Sequence, residues 1–171
     1  SAMSLCLAGK HEELLRDLEP RLTERGDARS APVSHTMTAL WSLAGLARHG
    51  IGDAAATRSA FELGLRTLPE AGSEACPPRL AALSVSVVRR LLELVERPAD
   101  QTPDDGRVEE RMAAARLAAF WLGWRLHAAP GDEDALALLD TARDALADGH
   151  AEVAGAMIRR QEYGGARALV Q

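Results

Sequence analysis

Lysine is almost missing from this sequence, asparagine is missing altogether, and tyrosine occurs once. Lys10 is the only lysine among 20 basic residues, so the other 19 are arginines, and they are scattered among 25 acids for a net charge of −5. Duplex nucleic acid is held by a clustered basic face, so we expect no nucleic-acid partner. Valine, isoleucine and tyrosine, the usual strand formers, are scarce, whereas alanine, leucine and arginine dominate and favour helices. That balance predicts an all-α domain. Its Ala and Arg bias is common in GC-rich bacterial genomes.

Cysteine occurs twice, as Cys6 and Cys76, with no C-x-x-C spacing and no adjacent His pair, which argues against a zinc site. Two free thiols in a reducing cytoplasm are expected. No apolar run reaches the length of about 18 residues that spans a bilayer, so no membrane contact is expected, and no signal peptide is visible. Residues 1–3 read as a cloning remnant. The rest, 4–171, reads as one domain, with a mobile loop over about 98–107, where Pro, Gly and acids gather.

Apolar spacing and breakers lay out the helices. Leu14, Leu15, Leu18 and Leu22 form a stripe on a helix over 12–24, with Pro20 inside it. Ser34 or Thr36 caps a second helix that stops at Gly50 and Gly52. Asp53 caps a third, over 54–68, and Pro78 opens a fourth, running to about 96. The helix over 108–128 is apolar nearly all round between Met112 and Trp124, which suits a central helix or an oligomer contact, with a homodimer as one outcome. Asp132 or Asp134 starts the next. Helices over 134–147, 151–160 and 165–170 are expected to follow, with turns at "DGH" and "QEYG" between them.

The five histidines include no H-E-x-x-H and no Glu-x-x-His pair on a helix, so they read as surface or capping residues. No phosphate loop, dinucleotide fingerprint or nucleophile elbow is present. Neither an enzyme nor a cofactor is expected.

One stretch carries an unusual order of residues. Trp41, Ala44, Gly45, Arg48, Thr57, Phe61 and Pro69 sit at the intervals W-x2-L-G-x2-Y, A-x3-F, P. Trp, Gly, Phe and Pro match; Ala44, Arg48 and Thr57 replace Leu, Tyr and Ala. Over about 38–71 the chain resembles the tetratricopeptide repeat. "AGKHEELLRDLEP" resembles the end of a preceding unit, "RLHAAPGDEDALALL" a boundary between units with Pro130 in the place of Pro69, and "MIRRQEYGGARALV" a further hairpin turn. The segment 71–107 fits no unit. The last two similarities compete, because Pro130 makes 134–147 a first helix and Tyr163 makes 151–160 one.

The resemblance implies antiparallel hairpins stacked as a right-handed superhelix; the alternative is an irregular helical bundle. It also implies a scaffold or adaptor that binds a protein or peptide on the concave side lined by first helices. On the first helix of the good unit, Ser42, Leu46 and His49 are expected on that exposed side. Trp121, Trp124 and Arg125, in "FWLGWRLH", are either core or an anchor patch. A Lys and Asn clamp for a C-terminal carboxylate is not expected with one Lys and no Asn. A regulatory or ligand-sensing module, or a chaperone-like subunit of a secretion system, are the other functions considered.

Overall fold

The computed structural model describes residues 2–24, 34–69, 78–95 and 105–160. Among them are seven α-helices and no strand: α1 (Ala2–Leu7), α2 (His11–Glu24), α3 (His35–Gly50), α4 (Ala54–Arg66), α5 (Pro78–Val95), α6 (Asp105–Ala128) and α7 (Glu133–Arg160). The all-α expectation holds. Within the described residues no helix is long and apolar enough to cross a membrane.

Local signals set most of the boundaries. Ser34 is the N-cap of α3, its hydroxyl accepting from the Met37 N–H at 3.1 Å. Asp53 caps α4 in the same way, accepting from Ala56 N–H at 3.0 Å. Between the two helices Gly52 takes φ 84, a conformation open to glycine at little cost. The base of this hairpin is closed by a backbone bond from Ser34 N–H to Thr67 C=O at 3.1 Å, beside the buried hydroxyls of Thr38 and Thr67.

Other boundaries differ from expectation. The helix over 108–128 begins at Asp105, so 105–107 are helical and not loop; 98–104 lie outside the described residues. "DGH" is not a turn, because Asp148, Gly149 and His150 all lie inside α7. A lone helical glycine costs only about 1 kcal/mol, less than breaking a helix with good formers on both sides. The competition between two "first helices" over 134–160 therefore ends with one helix. "QEYG" and 165–170 lie outside the described residues.

The hairpin α3–α4 packs on the pair α5–α6, first helix against first and second against second, while α2 also lies along α3, and α7 along α6. Among the described residues α3 is enclosed over the longest run, buried at every position from Met37 to Ala47. Small residues permit this: Thr38, Ala39, Ser42, Ala44, Gly45 and Ala47 let neighbours approach from several sides. The tightest approach is at Gly45. A methyl group there would collide with the ring of Phe61, which is itself fully buried. Trp41 and Phe61 are both buried. Burying a side chain of Phe61's size stabilises the fold by about 3 kcal/mol. The central-helix option holds for α6, whose Ala113, Ala114, Leu117, Ala118, Trp121 and Leu122 are buried where α4, α5 and α7 meet it.

At the α6–α7 corner, Asp132 accepts from Ala135 N–H at 3.1 Å and pairs with Arg125 Nε at 2.9 Å. The backbone bond and then the arginine hold its carboxyl below the usual aspartate range. A depressed folded pKa adds stability above the ordinary value and loses it as pH falls through the depressed one. Asp132→Asn is therefore expected to flatten the acid side of the stability–pH curve, read by urea unfolding at a series of acidic pH values.

Two glycines give a sharper contrast. Gly45→Ala gains helix propensity of about 1 kcal/mol but must displace a ring with nowhere to go, at roughly 1–3 kcal/mol. Gly123→Ala has the same gain and meets nothing within 4 Å. Thermal unfolding should show the first variant melting lower than the parent and the second higher.

Candidate functional site

Four helix ends enclose a cleft of about 260 Å³, lined by Cys6, Gly9, His11, Leu46, His49, Gly50, Arg90, Glu93 and Leu94. The C-terminal ends of α1, α3 and α5, the turn between α1 and α2, and the first residue of α2 supply these residues. Gly9, at φ 69, makes the turn that brings α2 back beside α1, and its N–H bonds Cys6 C=O at 3.1 Å. Arg90 then ties α5 to this turn: Nη2 donates to Leu7 C=O at 3.4 Å and Nη1 to Glu93 at 3.2 Å. A helix C-terminus presents unpaired carbonyls, and an arginine is a natural partner for them.

Cys6, Leu46 and Leu94 give the cleft apolar surface, and the polar groups stand around it. Cys6 is buried as a free thiol, and that burial raises its pKa, with Arg90 pulling weakly the other way. Such a thiol is mostly protonated and a poor nucleophile. The His11 ring lies across Gly50, and its Nδ1 is buried with no hydrogen-bond partner. His49 Nδ1 is 3.2 Å from Glu110 Oε1; the Glu110 side chain is 10% exposed and that of His49 is 49% exposed. A carboxylate only accepts, so the imidazole donates. No group of three or more His, Cys, Asp or Glu among the described residues is placed to hold a metal ion.

Comparison with protein-family models, curated proteins and solved structures gives no match.

The residues expected to bind a partner end up in three different places. Leu46 and His49 both reach the cleft, but Leu46 is 7% exposed and does not stand on an open face. Ser42 is wholly buried, donating to Thr38 C=O at 2.7 Å and accepting from Trp121 Nε1 at 3.3 Å. The expected exposed side of α3 at Ser42 and Leu46 is therefore corrected: α5 and α6 cover it. Trp121 is core, at 1% exposure, so it is no surface anchor. Trp124 is half-buried and packs its ring on Phe120, Trp121 and His35, with centroids 4.0, 4.7 and 4.2 Å away. Arg125 is engaged with Asp132.

His35 also departs from the surface reading of the histidines, because it is buried beneath Trp124 at the start of α3. His127 is exposed, as expected; the side chain of His150 lies outside what the structure describes, as does Cys76. The sequence held no cue for Glu110 as the partner of His49, since 61 positions separate them.

Ser42→Ala would strand the Trp121 indole N–H in the core. A buried donor without a partner costs about 1–3 kcal/mol. Chemical denaturation should show that loss with no change in the exposure-dependent slope.

Proposed function

We propose that this chain is a protein-interaction module built on a tetratricopeptide-like hairpin, working as a scaffold or adaptor, and that the cleft between α1, α2, α3 and α5 receives a side chain or short segment of its partner. The observation that carries this reading is the cleft itself. It combines apolar surface with polar groups, and it takes Leu46 and His49 from the first helix of the repeat-like unit. Its size favours a docked side chain over a whole metabolite: small-molecule pockets usually run from about 300 to 1,000 Å³, and this one is about 260 Å³. That comparison ranks the ligand-sensing alternative second. The weakly nucleophilic Cys6 supports a binding role over a thiol-based reaction. A reducing cytoplasm suits the free thiol.

A photo-crosslinking amino acid placed at position 49, and separately at the exposed Leu136 of α7, tests the site. In host lysate, adducts are expected from position 49 and not from 136. Equal adducts from both positions, or none from 49, would remove the cleft from the binding surface.

A further inference from the structure

We propose that the seat of α1 is exchangeable, and that an amphipathic helix of the partner takes the place of α1 there, setting an aliphatic side chain into the cleft beside Leu46 and Leu94. This rests on the interaction-module reading and adds how the partner enters and what it presents.

The first observation is what already sits there. α1 lies along α2 and α3. Cys6 is buried, Ala2 and Leu5 are partly buried beside it, and Ser4 and Leu7 are exposed. Positions 2, 5 and 6 are spaced i, i+3 and i+4, so they share one face of the helix. The seat therefore receives a helix by one narrow apolar stripe. That is the helix-in-groove mode of recognition, met here within a single chain.

The second observation is how the end of α1 is held. The backbone that follows takes three of its last carbonyls: Ala8 N–H donates to Ser4 C=O at 3.0 Å, Lys10 N–H to Leu5 C=O at 3.0 Å and Gly9 N–H to Cys6 C=O at 3.1 Å. The next, Leu7 C=O, accepts from Arg90 of α5 at 3.4 Å. Arg90 thus reads a carbonyl and not a side chain. Any helix that ends at the same point offers it the same acceptor.

The third observation is the poor fit of the present occupant. The cleft of about 260 Å³ lies beside Cys6, the one residue of α1 on its lining, with Leu46 and Leu94 on the other walls. A thiol is short. A leucine or methionine at the same position reaches further and removes more apolar surface from water. A helix of six residues also adds little stability of its own. What α1 has in its favour is the covalent link to α2, which acts as a local concentration of about millimolar. A longer helix with a larger side chain at this position overcomes that advantage.

The test uses the whole chain, isotope-labelled, and two synthetic peptides of about 14 residues, long enough to hold a helix once bound. One carries leucine at the positions matching Ala2, Leu5 and Cys6 in its last turns. The other has the same composition with its leucines spread around the helix. The patterned peptide should bind, read by the anisotropy of a terminal fluorophore, and should move the amide signals of Leu5, Cys6 and Leu7 to unstructured values. The spread peptide should do neither. Cys6→Leu, which fills the cleft from within, should weaken binding of the patterned peptide about tenfold, the worth of roughly two more buried methylene groups. Equal binding of the two peptides, no binding of either, or binding that leaves the α1 signals in place overturns the proposal. If Cys6→Leu fails to fold, the α1 signals of the parent chain still decide. Adducts from position 49 in lysate without peptide-driven release of α1 would keep the module and reject the exchange; release of α1 without such adducts would keep the exchange and reject the module.

Discussion

The close approach of α3 and α4 at Gly45 is the constraint on which the rest depends. Only a residue without a Cβ lets the Phe61 ring approach the α3 backbone this closely. With that ring seated, α4 is near enough for Thr67 to meet Thr38 and for Ser34 to bond back to the end of α4. Gly64 extends the same logic on the other helix: a Cβ there would stand 3.3 Å from that of Trp41 and 3.5 Å from Leu117 of α6. A pair of glycines and a pair of rings thus fix both the hairpin and the surface on which α6 rests.

Enclosure of α3 follows from this and decides what its side chains can do. A helix walled in by α1, α2, α4 and α5 has nowhere to present a binding face along its length. At its middle, Ser42 turns inward and serves the Thr38 carbonyl and the Trp121 indole. Apart from Thr36 in its first turn, only the final turn, with His49 and Gly50, is exposed. Contact with the outside is displaced from the helix face to the helix end.

That displacement explains how far the sequence could be read. Caps and breakers are local, so Ser34, Asp53, Gly52 and Pro78 announce their turns without knowledge of neighbours. The Trp–Gly–Phe order was legible for the same reason, since a hairpin is a short-range object. The burial of Ser42 was not, because small residues look alike whether they face water or a closely packed helix. The cleft was hidden most thoroughly. Its lining is drawn from α1, α2, α3 and α5, and its key pair spans α3 and α6; no spacing rule connects Cys6, His49, Arg90 and Glu110.

One wall of that cleft is a helix of six residues, too short to persist by itself. Its tertiary attachment includes Cys6 in the core, partly buried Ala2 and Leu5 beside it, and the Arg90 tether at Leu7. Such an element opens ahead of the larger body. The thiol of Cys6 is sealed while α1 lies down and uncovered when it lifts, so the rate at which an alkylating reagent consumes it is a clock for the detachment of that wall.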